Sequence, residues 1–94
     1  LETHAHADHL SAAPHVRART GARTVIGEHI SRVQDIFKPL FNATDVSGNG
    51  SEFDRLVGDG DKLPLGRLEF EVMHLPGHTP ADVAYRIADA VFVG

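Results

Sequence analysis

Apolar residues along the chain switch between two periods. Ile30, Val33, Ile36, Phe37 and Leu40 recur at three- to four-residue spacing, which predicts a helix over 30–38 that Pro39 disturbs or ends. Leu68, Phe70 and Val72 alternate with Glu69, Glu71 and Met73, the period of two of a strand. Residues 62–65 read as the other arm of a hairpin around Gly66-Arg67. Val83, Tyr85 and Ile87 alternate again, and 90–93 (Ala-Val-Phe-Val) reads as a buried strand. Upstream, the β-branched run at 23–27 and the pair 56–57 predict short strands. Residues 1–10 read as a strand end running into a helix capped by Asp8 or Ser11, with Pro14 in its early turn and Gly21 as the stop after Thr20. Residues 42–51 predict an exposed loop, 58–61 a turn and 76–80 a rigid loop. Helix, turn and strand in succession suit an α/β layer.

Composition narrows the function classes. A chain of 94 residues, 41% hydrophobic with net charge −4, allows one small domain at most. Thirteen acidic residues outnumber nine scattered basic ones, so no nucleic-acid footprint is expected. The absence of cysteine excludes disulfides, thiolate metal sites and a cysteine nucleophile. Apolar runs are only a few residues, against the ~20 needed to cross a bilayer, so no membrane partner is expected. No charged-then-apolar leader is visible, and the cytoplasm is the expected compartment. The chain opens at Leu1 inside its richest motif and stops at Gly94 behind an apolar run. We therefore expect residues 1–94 to be an incomplete domain, an internal piece of a longer chain.

The seven histidines change the picture most. In His4-Ala5-His6-Ala7-Asp8-His9, four metal-ligating side chains fall within six residues. Imidazoles with a carboxylate suit zinc or iron. In a turn at a strand end, His4 and His6 can serve one ion while Asp8 and His9 serve a second. Alanines between them leave the ligands unobstructed. In Pro76-Gly77-His78-Thr79-Pro80, two prolines and a glycine fix one further imidazole, and a metal ligand needs such rigid placement. The other residues have plainer readings: His74 structural, His15 and His29 at the surface, Tyr85 and Phe92 in the core, Glu69 and Glu71 on a solvated face. Asp59 and Asp61 are too few for calcium.

The stretch Thr3-His4-Ala5-His6-Ala7-Asp8-His9 resembles the His-x-His-x-Asp-His signature of the metallo-β-lactamase superfamily, and Pro76-Gly77-His78-Thr79 resembles its next ligand loop. The resemblance covers essentially the whole chain. It implies an α/β (α+β) fold, part of an αββα sandwich with metals at one edge of the sheets. In the two-metal hydrolases, the residues matching His4, His6 and His78 hold one ion, and those matching Asp8 and His9 help hold the other. A bridging aspartate is expected directly after Gly94, with a further histidine later. The finer resemblance is to the branch of glyoxalase II and the persulfide dioxygenases. In the latter, residues matching His4 and His78 plus that aspartate hold one ferrous ion, and His6, Asp8 and His9 lie around it. Ala81-Asp82 departs from the Gly-Ser of many superfamily hydrolases and leaves the substrate contacts undefined.

Three functions follow as expectations. The first is an iron-dependent dioxygenase, with one Fe(2+) per chain, oxidising a glutathione-type persulfide to sulfite. The second is a hydrolase in which up to two Zn(2+) activate water against a thioester. The third is that residues 1–94 by themselves are an unliganded unit without turnover. The partner implied by either enzyme is a small thiol-derived molecule, and a homodimer of the full-length protein is compatible with both.

Overall fold

The computed structural model describes residues 1–6, 10–42 and 44–94. Their elements run α1 (Ala13–Thr20), β1 (Val25–Gly27), α2 (Ile30–Leu40), β2 (Arg55–Val57), β3 (Lys62–Leu65), β4 (Leu68–His74), β5 (Val83–Ile87) and β6 (Ala90–Phe92). The parallel pair β1–β2 sets Ile26 opposite Leu56. A parallel pair requires a crossover, which α2 and the loop after it supply. The other four strands form an antiparallel sheet in the order β3-β4-β5-β6. Among the described residues, no helix is long and apolar enough to cross a membrane.

The helix ends follow local chemistry. At the end of α1, Gly21 adopts φ 71° and donates its N–H to the Arg17 carbonyl at 2.8 Å, the left-handed cap that glycine supports without strain. At its start the cap position is Ala12. Ser11 stands one residue earlier, where its hydroxyl oxygen accepts the Ala13 N–H at 2.9 Å. Asp8, the alternative cap, lies outside the described residues. No residue of α1 is buried; the helix is tethered by Arg17 to Asp54 at 3.0 Å. Helix α2 runs through Pro39 to Leu40 rather than stopping at Lys38. In the last turn proline forfeits a single N–H bond, and the Phe41 N–H still closes on the Phe37 carbonyl at 3.0 Å.

Two apolar clusters form the core. Val57, Leu63, Val72, Val83 and Tyr85 make one, against which Val25 and Phe70 pack. Ile26, Ile30, Val33 and Ala81 make the other, with Ala5, Phe37 and Phe53 at its edge. The two meet where β1 passes β5, and a Cβ at Gly27 would lie 2.8 Å from Val83 Cγ1, so only glycine fits there. The N-terminal segment is seated in the same seam. The Glu2 N–H donates to the Val25 carbonyl at 2.8 Å, and the Val83 N–H donates to the Thr3 carbonyl at 3.0 Å. The Tyr85 hydroxyl donates to the Glu2 carbonyl at 2.7 Å. Burial, with Glu2 nearby, pushes that phenol up to about 12, so it remains a donor.

Strand β6 corrects one expectation. Ala90, Val91 and Phe92 are exposed, not buried, and Phe92, expected in the core, is 56% exposed. The strand pairs with β5 through its backbone, and its Phe92 ring meets Phe70 edge-on at 6.5 Å, yet all three of its residues stay exposed. Glu69 and Glu71 do more than face solvent: Lys62 pairs with Glu69 at 3.1 Å, and Arg86 pairs with Glu71. Such exposed pairs contribute little stability. Asp59 and Asp61 serve the turn, accepting the backbone N–H groups of His74 at 2.7 Å and Gly58 at 2.9 Å.

Ile26 is 1% exposed where the two clusters meet. Ile26→Ala should cost about 2–5 kcal/mol, as buried isoleucine truncations do. Arg19→Ala, on the unburied helix α1, should stay within about 0.5 kcal/mol. Denaturant midpoints of the two variants check the contrast.

Candidate metal centre

The seam that anchors Glu2 and Thr3 delivers the next residues to one end of β5. His4 is buried, 7% exposed, and its Nδ1 lies 3.1 Å from the Thr3 hydroxyl. Its ring stands edge-on to His78, with centroids 5.0 Å apart. His6, half-buried, also stands edge-on to His78, with centroids 4.8 Å apart. Residues 74 and 72 positions apart in sequence are thus neighbours at His78. Two imidazoles on one tetrahedral ion, with metal–nitrogen bonds of about 2.0–2.1 Å, place their centroids about 5 Å apart. Donor chemistry and ring spacing therefore both fit zinc or iron. The expected convergence of three ring nitrogens on one ion is not complete: among the described residues, no group of three His, Asp or Glu side chains is placed to hold an ion. Asp8 and His9 lie outside the described residues.

The loop carrying His78 is held from below. The Thr79 hydroxyl donates to Asp82 Oδ1 at 2.5 Å, and the Thr79 N–H donates to Asp82 Oδ2 at 3.1 Å. The same hydroxyl oxygen accepts the Ala81 N–H at 3.1 Å. Thr79 and Asp82 are both buried, at 3% and 8% exposure. Burial works against the Asp82 carboxylate, but the Thr79 bonds and the nearby His4 and His78 outweigh it and hold the carboxyl below its ordinary value. His74, read from the sequence as structural, is that: its Nε2 bonds the Pro80 carbonyl at 3.1 Å while its ring lies 4.6 Å from that of His29. His15 is exposed on α1, as expected.

Three features of the site escaped the sequence reading. The pairing of Thr79 with Asp82 was signalled only by their three-residue spacing, which suits a side-chain-capped turn. The close approach of Gly94 itself was signalled only through the resemblance, which expects a ligand directly after it: a Cβ on Gly94 would lie 2.7 Å from His4 Nδ1 and 2.9 Å from the Thr3 hydroxyl oxygen. The third is an apolar cleft of about 300 Å³ beside His6, walled by Val33, Phe37, Phe41, Val46 and Phe53. The Phe37 ring meets His6 edge-on at 5.1 Å and stacks on Phe41 at 5.5 Å. The outer wall is held by Glu52, whose carboxylate accepts the Ser47 N–H at 2.7 Å and the Gln34 side-chain N–H at 2.9 Å. Gln34 in turn accepts the Gly50 N–H at 2.8 Å.

The sequence profile of the metallo-β-lactamase superfamily matches residues 1–94. The chain belongs to the metallo-β-lactamase superfamily. A probable metallo-hydrolase of Burkholderia pseudomallei is 55% identical over 91 residues, covering 96% of this chain and 31% of the relative. A β-lactamase hydrolase-like protein of Xylella fastidiosa is 47% identical over 93 residues, covering 99% of this chain and 22% of the relative. Among solved structures, ETHE1 from Myxococcus xanthus superposes with a TM-score of 0.67 at 31% identity, covering 97% of this chain and 32% of that one. The chain thus spans between about a fifth and a third of the length of these relatives. As a superfamily member it presents the mixed α/β architecture expected from the motifs, as part of the fold.

Two measurements test the site's supports. The carboxyl of Glu52 is held at about 2, below its ordinary 4.5, first by the Ser47 backbone N–H, against a smaller opposing effect of burial. A depressed folded-state value means that its contribution is full above about 4.5 and fades as pH falls toward 2. The stability difference between parent and Glu52→Gln should therefore shrink over that interval in pH-dependent denaturation. Gly94→Ala should displace the His4 ring, because the added carbon meets Nδ1 at 2.7 Å. The imidazole resonances of His4 should move in NMR spectra, while those of His15 stay in place.

Proposed function

We propose that this superfamily member is a metal-dependent enzyme acting on a small thiol-derived substrate, as an iron-dependent dioxygenase that oxidises a glutathione-type persulfide to sulfite. The observation that carries the metal reading is the placement of the His4 and His6 rings edge-on to His78, at 5.0 and 4.8 Å. The choice of dioxygenase is supported by the resemblance of the two motifs to that branch and by the structural similarity to ETHE1. A second reading, hydrolysis of a thioester at two zinc ions, is favoured by the hydrolase names of the sequence relatives.

His4, His78 and a carboxylate from outside these residues would hold iron. In the zinc reading His6 would join that set, and Asp8 with His9 would hold the second ion. Bound there, iron would supply redox chemistry between dioxygen and a persulfide sulfur, whereas a zinc pair would supply Lewis acidity and an activated water. The chain's own part is placement. Thr3 engages His4 Nδ1, so Nε2 is the nitrogen His4 would offer to an ion. The prolines and the Thr79–Asp82 bonds fix His78. The cleft beside His6 is apolar and would exclude water from one flank of the centre.

Metal content separates the two readings: about one iron, or up to two zinc ions, per chain. His78→Ala should remove metal and turnover together. In the dioxygenase reading, His6→Ala and His9→Ala should keep most of the iron and lose activity about 10–100-fold; in the hydrolase reading, each should lower the metal stoichiometry. Elemental analysis, oxygen uptake with glutathione persulfide and hydrolysis of a glutathione thioester check these outcomes. Complete loss of iron in both variants would count against the one-iron reading.

A further inference from the structure

The residues at 81 and 82 depart from the superfamily's common Gly-Ser, and the structure shows what each does. Ala81 is 2% exposed and packs with Ile26, Ile30 and Val33, so its methyl group ties the end of the His78 loop to the core beneath α2. Asp82 turns back along the loop and takes both donors of Thr79, the residue directly after His78. Its own carbonyl accepts the Leu75 N–H at 3.0 Å, which closes the loop at the other side. Within the loop, the Gly77 N–H donates to the Thr79 carbonyl at 3.1 Å. Serine at 82 could offer one oxygen, not two, and no charge.

A carboxylate 8% exposed is costly to bury unless it is bonded and balanced by positive charge. Thr79 provides the bonds. The groups bearing on Asp82 electrostatically are the imidazoles of His4 and His78. Neutral imidazoles give that carboxylate little compensation, whereas imidazoles bound to a divalent cation would give a great deal. By the same reciprocity, the carboxylate would strengthen the binding of the cation.

We infer that Asp82, acting through Thr79, is a positioning residue of the metal centre, which sets the direction of His78 and places a fixed negative charge behind the His4–His78 pair. The inference rests on the metal reading above and adds to it a residue outside the ligand set. Two properties are assigned to Asp82, geometry and charge, and they are separable. Thr79→Val removes the hydroxyl and keeps the charge. Asp82→Asn removes the charge and keeps one acceptor oxygen. Thr79→Ser keeps both.

The test is metal affinity, measured on the intact protein by competition of zinc or cobalt with a chromophoric chelator, alongside the melting temperature of the metal-free form. Asp82→Asn and Thr79→Val should each weaken the metal about 10–100-fold, the range for groups that orient ligands. Thr79→Ser should stay within about threefold of the parent. The double variant, which loses both the charge and the hydroxyl, should be weaker than either single one. A lower melting temperature with unchanged affinity would make the pair a fold support only and would overturn the inference. If Asp82→Asn does not fold, the contrast between Thr79→Val and Thr79→Ser decides: weaker binding by Thr79→Val supports the inference, and equal or tighter binding overturns it. A parent that binds neither metal would overturn the metal reading and this inference together, whereas a parent that binds metal as tightly as Asp82→Asn does would overturn this inference alone.

Discussion

The placement of Glu2 and Thr3 in the seam between β1 and β5 is the constraint on which the rest of the structure depends. Neither residue belongs to a regular strand, yet the Glu2 N–H reaches β1, the Thr3 carbonyl reaches β5, and the Tyr85 hydroxyl holds the Glu2 carbonyl. Backbone groups in a closed seam must find partners, and these three bonds meet that requirement while joining a two-stranded sheet to a four-stranded one. His4 follows directly. It inherits its position from the seam, and its burial is the geometric consequence of lying one residue beyond the last of those bonds.

His78 arrives by a different mechanism. It comes from an exposed loop, where backbone freedom would ordinarily blur a ligand's direction. Two prolines reduce that freedom from within. The remaining order comes from beneath: Asp82 holds Thr79, His74 holds the Pro80 carbonyl, and Ala81 is packed into the core. An exposed imidazole on a buried support can meet a ligand without itself giving up solvent. The centre thus joins a side chain fixed by sheet pairing to one fixed by a polar clamp, and the two meet at 5.0 Å.

The segment after α2 adds a third layer of order, beside His6. Glu52, Gln34 and Ser47 bind one another and the Gly50 backbone, which fixes a glycine-rich stretch against the helix. Phe37, Phe41 and Phe53 then line a cleft that shares His6 with the centre. The apolar stripe of α2 is therefore divided. Ile30 and Val33 enter the core, Phe37 serves the cleft, and Ile36 and Leu40 remain exposed.

The sequence by itself determined much of this. The period of α2, the alternation in β4 and β5, the glycine after Thr20 and the Gly66-Arg67 turn each act over a few residues, so local pattern was enough to place the elements. The two histidine motifs were legible because density and rigidity of ligands are themselves local properties. Tertiary structure decided what local pattern could not carry. Strand β6 has a buried strand's composition but lies exposed, because burial depends on what covers a face and not on the residues in it. Pro39 falls inside α2 because the Phe37–Phe41 bond closes the last turn without the proline's N–H. The contacts of Tyr85 with Glu2, of His78 with His4 and His6, and of Gly94 with His4 join residues more than 70 positions apart. Such contacts exist only once both core clusters have formed, so no window of sequence contains them.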